Sequence, residues 1–369
     1  MSVSDFFTLI NAHPWAYFPV IVCFAVVFVN GWTDGPNSIA TLVMTRSMRP
    51  GRAVIMSAVL NFIGVLVVGL VAAYSTVFSN VVQTISDIVS FNPLSEADLT
   101  DSFIALGVGL FAVVFFSSVS TKLNMPSSES NELVGGLTGA AFALTCLPSS
   151  SLFGVICVSG SVWITVVVGF VGSLVLGFVL GLAITKAIEL LCAKMSRGAT
   201  TRFFTRAQIV SAGLMSFVHG LQDGSKFLGV LVLVTMMLGK FSGITLSVST
   251  LLAEWWVFLP VAIIMFAGSC MGGFNIIKTL GHDMAALQKY QAFATDIAAF
   301  IGLLLVTFLG VPVSTGSVKT TAIMGGGATR SLKQVHWDVA GKMVGLWVLV
   351  FPLTAIIGFV VTIALAAIF

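Results

Sequence analysis

Apolar stretches long enough to cross a bilayer follow one another along this chain, separated by short polar punctuation. Charge-free runs at residues 53–78, 158–183, 255–273 and 343–369 reach the roughly 20 residues that a membrane-spanning helix requires. Two polar, glycine-rich segments interrupt apolar surroundings: Gly31-Trp32-Thr33-Asp34-Gly35-Pro36-Asn37-Ser38, and Gly220-Leu221-Gln222-Asp223-Gly224-Ser225-Lys226. They align as Gly-x-x-Asp-Gly and predict a helix break at the same place in each half of a duplicated chain. A second pair follows at closely matched spacing. Met125-Pro126-Ser127-Ser128-Glu129-Ser130-Asn131-Glu132 is echoed by Val311-Pro312-Val313-Ser314-Thr315-Gly316-Ser317-Val318-Lys319, and glycines succeed both.

Repeats with interrupted helices in corresponding positions point to a transporter binding site at the repeat interface. The expected fold is therefore an all-α polytopic membrane protein. It has about 10–12 transmembrane segments in two inverted-topology repeats with broken or re-entrant helices. Residues 1–190 would form the first repeat and 191–369 the second. Composition agrees: 57% of the residues are hydrophobic and 8% charged, and the mean hydropathy is +1.08, outside the range of soluble domains. No basic region or small-residue cleavage site precedes the first apolar stretch, so the first span is expected to be its own insertion signal.

Charge orients the chain. Basic residues gather at Arg46, Arg49 and Arg52, from Lys186 to Arg206, at Lys278 and Lys289, and at Arg330 and Lys333. The positive-inside rule places these loops in the cytoplasm. Residues 75–101 carry Asp87, Glu96, Asp98 and Asp101 but no Lys or Arg, which fits an external loop. Counting each Ser-rich segment as one crossing gives about ten crossings, five per half. Re-entrant hairpins would change that parity. A net charge of +3, scattered over loops, gives no reason to expect nucleic acid. Cys23, Cys146, Cys157, Cys192 and Cys270 lack paired metal-ligand spacing and read as free thiols with a packing role.

Backbone freed by Gly31, Gly35 and Pro36 must line protein or a water-filled cavity, because lipid offers it no partner. A helix restarting there presents N–H groups and a partial positive charge to an anion. Ser38, Ser127, Ser128, Ser314 and Thr315 add hydroxyl donors, and Lys226 stands close enough in sequence to approach a substrate charge. A tetrahedral oxyanion suits many shared neutral donors. Asp34 and Asp223 then need a compensating cation at membrane depth, sodium or a proton. A carboxylate also accepts a hydrogen bond from a protonated phosphate oxygen, whereas sulfate at neutral pH has no proton to give. Asp34 can alternatively act as a helix cap. The serines can bond backbone carbonyls, and His219 can be a packed or coupling histidine. Glu129, Glu132 and Lys319 can pair or line a path, while Asp296 and Glu254 are expected near helix ends or internal cavities.

At these residues the chain resembles the inorganic phosphate transporter (Pit/PiT) family. The duplicated family signature, Gly-x-Asn/His-Asp-x-x-Asn and His-Gly-x-Asn-Asp-x-x-Lys/Asn, is similar to Gly31–Asn37 and His219–Lys226. The paired Pro-x-Ser-Ser/Thr motifs resemble the segments from Pro126 and Pro312. Thr45-Arg46-Ser47-Met48-Arg49 and the stretch Gly272-Gly273 to Lys278 and Gly281 also look like family features. Thr33 and Gln222 depart from the pattern before each Asp, as do Asn131 and Ser317 after each Ser/Thr motif.

The resemblance implies a secondary transporter of the bacterial plasma (inner) membrane, with no cofactor. It would move phosphate with Na+ or H+, or as a neutral complex with a divalent metal. Asp34, Asn37, Ser38, Ser127, Ser128, Asp223, Lys226, Ser314 and Thr315 would surround the substrate. Asp34, Asn37, Asp223 and Glu129 would serve the coupling ion. A homodimer is expected by analogy alone. Sulfate is the nearest alternative substrate, and a passive anion channel the next reading. An aspartyl protease, in which two carboxylates share a proton, lacks its Tyr-Asp and Gly-x-Gly-Asp motifs here. A serine protease lacks a partner for His219. The chain therefore reads as a transporter, not an enzyme.

Overall fold

The computed structural model describes every residue except 73–74, 90, 92, 94, 124, 126, 148–157, 274–276, 278–286, 367 and 369. Pro126, Cys157, Lys278 and most of the family-like stretch after Gly273 lie outside the described residues. Helix dominates, and the isolated bridge between Val89 and Val158 is the one extended pairing among the described residues.

A short helix α1 (Val3–Ala12) precedes α2 (Tyr17–Thr33), which gives way to a 3-10 turn (Gly35–Ile39) and a helical fragment α3 (Ala40–Met44). The first half continues with α4 (Pro50–Ala72), α5 (Thr76–Ser86), α6 (Glu96–Lys122), α7 (Glu129–Thr145) and α8 (Gly160–Leu191). The second half holds α9 (Arg197–Phe241), α10 (Val248–Leu252), α11 (Trp255–Cys270), α12 (Lys289–Phe308), α13 (Thr315–Ala328) and α14 (Trp337–Ala366). Among the described residues seven segments are long and apolar enough to span a membrane, and α11 is a shorter apolar helix. With α7 and α13 these make ten, the lower end of the expectation. At 14 residues α13 is about 21 Å long, short of a hydrocarbon core of about 30 Å. Residues 75–101, expected as a loop, contain α5 and the start of α6.

Helix starts follow the side chains available to cap them. Ser95 accepts from the backbone N–H of Asp98 and Asp98 answers with the backbone of Ser95, closing a capping box on α6. Ser159, Ser196 and Ser314 cap α8, α9 and α13 in the simpler one-way manner.

The two Gly-x-x-Asp-Gly segments behave differently. In the first, α2 stops at Thr33 and Pro36 opens the 3-10 turn, where its missing N–H and fixed φ are tolerated but a continuous α-helix is not. The expected second break is absent: α9 runs unbroken through Gly220, Asp223 and Gly224. No proline stands there, and each glycine costs only about 1 kcal/mol relative to alanine. Every residue from Val218 to Thr235 is buried, so packing holds the helix intact.

The motif glycines instead allow helices to touch backbone to backbone, as small residues do in membrane bundles. A Cβ at Gly31 would lie 2.5 Å from the Met265 carbonyl oxygen and 2.8 Å from the Ser269 nitrogen of α11. Gly268 faces back onto the Phe28 carbonyl. On the other side Gly220 meets Asn61 of α4, and a Cβ at Gly64 would lie 2.7 Å from the Leu221 nitrogen. Contacts pair throughout: α2 packs on α11 as α9 does on α4, α2 on α6 as α9 on α12, and α7 on α14 as α13 on α8.

Burial separates centre from periphery. In the most apolar window of α9, 83% of the residues are buried, against 17% in α8 and 22% in α14. The last two therefore form the outer wall, where Ile164, Val168, Val175, Leu349, Ile356 and Val360 are exposed as lipid-facing residues. Among the described cysteines, Cys23, Cys146, Cys192 and Cys270 are free. Only Cys23 is buried, so the expected packing role holds there and not at exposed Cys146 and Cys270.

Candidate functional site

Asp223 sits in mid-helix, buried among donors from its own helix and two others. One turn along α9, Lys226 Nζ donates to Asp223 Oδ1 at 2.5 Å and to Ser130 Oγ at 2.6 Å. Asp223 Oδ2 accepts from Asn30 Nδ2 at 3.0 Å and from Thr315 Oγ1 at 3.3 Å. His219 Nε2 stands 3.3 Å from the same oxygen, while its Nδ1 is 3.0 Å from Asn61 Oδ1. Lys226, expected to approach a substrate charge, thus pairs with a carboxylate of its own helix.

Asp34 closes α2, its backbone N–H bonded to the Asn30 carbonyl at 2.8 Å. Its Oδ1 accepts from Asn37 Nδ2 at 3.0 Å. Among the described residues no basic side chain lies within ion-pair distance of it. Glu129, the first residue of α7, accepts from Thr33 Oγ1 at 2.6 Å through Oε1. Glu132, one turn on, accepts from Ser117.

Several residues of these contacts and their chain neighbours carry buried polar atoms without a hydrogen-bond partner: Asn30 Oδ1, Asn37 Oδ1, Ser128 Oγ, Glu129 Oε2 and Glu132 Oε1, with Ser317 Oγ two residues beyond Thr315 on α13. Buried polar groups are normally paired, so a concentration of unpaired ones calls for a ligand, an ion or water. Their chemistry is that of a site offering hard oxygen ligands to a cation and hydroxyl donors to an anion. A surface cavity of about 740 Å³, lined by Asp87, Ser159, Met236 and Lys240 among others, includes none of these residues.

Of the residues expected at the site, Asp34, Asn37, Asp223, Lys226, Thr315 and Glu129 are joined by these contacts, and Ser128 presents an unpaired hydroxyl. Three hydroxyls are engaged elsewhere. Ser38 donates to the Gly35 carbonyl at 2.8 Å and meets Ser57 and Ser216. Ser127 meets Ser120 at 2.8 Å. Ser314 caps α13 by accepting from the Ser317 N–H. Asn30, Thr33 and Ser130 were missed. Asn30 immediately precedes the first motif and Thr33 and Ser130 lie inside the two motifs, but their partners are on other helices, which the sequence does not show.

A second buried cluster lies apart. Lys319 on α13 pairs with Asp296 on α12, which also accepts from Thr41 Oγ1 at 2.7 Å and Ser211 Oγ at 3.0 Å. Lys319 therefore meets Asp296 rather than Glu129 or Glu132. Asp296 lies in the body of α12 and not at a helix end, whereas Glu254 does sit at one, as the N-cap of α11. Gln222, beside Asp223, bridges away from the site to Thr307 and to the Val311 carbonyl.

Comparison with known proteins agrees with this architecture. The model of the phosphate transporter family matches residues 30–358. A probable low-affinity inorganic phosphate transporter of Bacillus subtilis (strain 168) is 30% identical over 342 residues, 92% of this chain and 93% of its own. One from Rhizobium meliloti (strain 1021) is 31% identical over 345 residues, covering 92% and 95%. A solved sodium-dependent phosphate transporter shares the fold with a TM-score of 0.80 at 22% identity, over 96% of this chain and 100% of that one. Its apolar helices and bacterial relatives make this a multi-pass plasma-membrane protein. The chain belongs to the phosphate transporter family.

Proposed function

We propose that the chain is a secondary active transporter of inorganic phosphate, driven by Na+ or H+, with one site between two inverted repeats. The cluster of unpaired buried oxygens and hydroxyls beside Asp34 and the Asp223–Lys226 pair carries this reading. The family's name and the relatives' names supply phosphate as substrate, and the structural neighbour's name raises sodium as the coupling ion. The matched contacts of α2 with α11 and of α9 with α4 support the repeat.

Among the described residues Asp34 and Glu129 have no basic partner of their own, so in their ionised form they would repel a phosphate arriving alone. Sodium among Asp34, Asn37 and Glu129 oxygens, or a proton on a carboxylate, removes it. Phosphate then takes donors from Ser128, Ser317 and Lys226, which directs two of its three N–H groups at Asp223 and Ser130. A protonated phosphate oxygen donates in turn to a carboxylate. Rocking of one repeat against the other exposes the site alternately to each side.

Radiolabelled phosphate uptake into proteoliposomes, with sodium and proton gradients imposed separately and unlabelled sulfate as competitor, tests this. Accumulation above equilibrium that resists sulfate is expected. Uptake that only equilibrates would indicate a channel, and sulfate-sensitive uptake a different oxyanion.

A further inference from the structure

The two Asp-Gly motifs place the same contact in both halves but fill it differently. Asp34 accepts from the amide of the residue three positions later, Asn37 Nδ2, at 3.0 Å. Asp223 accepts in the same i, i+3 relation from Lys226 Nζ at 2.5 Å. One carboxylate therefore carries a neutral donor and the other a full positive charge tethered to its own helix. Both lie in the protein interior, with Asp34 5% and Asp223 1% exposed.

An uncompensated carboxylate at membrane depth requires a counter-ion. At Asp223 the counter-ion is Lys226, locked by Ser130 from α7 and itself only 3% exposed. At Asp34 no basic side chain plays that part among the described residues. Unpaired Asn37 Oδ1 and the nearby Glu129 Oε2 supply further acceptors but no positive charge. A pair of like sites thus differs by one cation.

We infer that Lys226 Nζ is a built-in counter-ion that takes the place of one coupling cation at Asp223, so that external cation is required on the Asp34 side alone. The inference rests on the proposed coupled phosphate transport and sets its stoichiometry. Besides the one N–H left free for phosphate, Lys226 balances the charge of Asp223, and it is this second part that sets the cation count. Replacing it by the residue found at the matching place in the first motif, Lys226→Asn, opens the second carboxylate to an external cation. The reciprocal change, Asn37→Lys, supplies the first carboxylate with a tethered one.

The test measures the number of coupling cations per phosphate from the imposed gradient at which net phosphate flux in proteoliposomes is zero. The gradient is sodium or proton, whichever drives the wild type. Lys226→Asn is expected to raise the stoichiometry by one; Lys226→Gln, closer in length to lysine, serves if the first variant does not assemble. Asn37→Lys is expected to make equilibrium binding of radiolabelled phosphate independent of the coupling cation, a change that loss of packing alone would not produce. Unchanged stoichiometry in the neutral variants, or phosphate binding by Asn37→Lys that keeps the wild-type cation dependence, overturns the inference while leaving phosphate transport standing. No gradient-driven phosphate accumulation by the wild type overturns the transport reading itself, and the inference with it.

Discussion

Replacing Lys319 with methionine would test the second buried ion pair, in which Lys319 and Asp296 are both fully buried. Methionine fills most of the lysine volume, so the change removes charge rather than packing. Asp296 would keep two neutral donors, Thr41 Oγ1 at 2.7 Å and Ser211 Oγ at 3.0 Å. Hydrogen bonds to a charged group contribute about 1.5–3 kcal/mol each and are present before and after the change, so they cancel. The loss is then that of a buried charge deprived of its partner, about 3–5 kcal/mol. At roughly 2–4 °C per kcal/mol for a large domain, the melting temperature in detergent should fall by about 10 °C.

Tryptophan fluorescence reads the transition. Adding Asp296→Asn removes the orphaned charge and leaves an amide oxygen to accept from one hydroxyl and an amide N–H to donate to the other. The double variant should therefore recover most of the loss, because a buried pair replaced as a unit is nearly neutral. A single variant as stable as the wild type, or a double variant no better than the single, would refute the argument.

Asp34→Asn should abolish concentrative phosphate uptake while leaving the melting temperature within a few degrees of wild type, since among the described residues Asp34 has no cation partner to orphan. Asp223→Asn should abolish uptake and also lower the melting temperature, because Lys226 is left buried beside a neutral group. Gly31→Ala should cost about 1–3 kcal/mol of stability by forcing α2 off α11. Gly172→Ala on α8, where an added Cβ meets nothing, should be neutral or slightly stabilising, and both are read as shifts in detergent melting. N-ethylmaleimide followed by mass spectrometry should modify Cys146 and Cys270 in the folded protein and spare Cys23 until it unfolds.

Local signals in the chain carried far, because they rest on local chemistry. Apolar length marks the spans, and Pro36 marks the break after Asp34. Gly220 and Gly224 misled for a tertiary reason: in α9 the surrounding burial outweighs their weak helix preference, and Gly220 is required by contact with Asn61 rather than by a bend. Lys226 was expected near substrate charge, yet its i, i+3 partner Asp223 was legible in the same motif. The Asp296–Lys319 pair and the bridge from Gln222 to Thr307 join residues far apart in sequence, with no periodic or motif signal to connect them. Ser38, Ser127 and Ser314 show the limit of reading donors by type, because a hydroxyl's partner depends on neighbours that only folding supplies.

The most direct test of the central claim is an experimental structure in lipid nanodiscs, determined with phosphate and the coupling cation and again with neither. Phosphate density within hydrogen-bonding distance of Ser128 and Lys226, with a cation or its displaced water beside Asp34, is the expected result. Phosphate bound away from both Asp-Gly motifs, with the Asp34 surroundings unchanged between the two conditions, would contradict it.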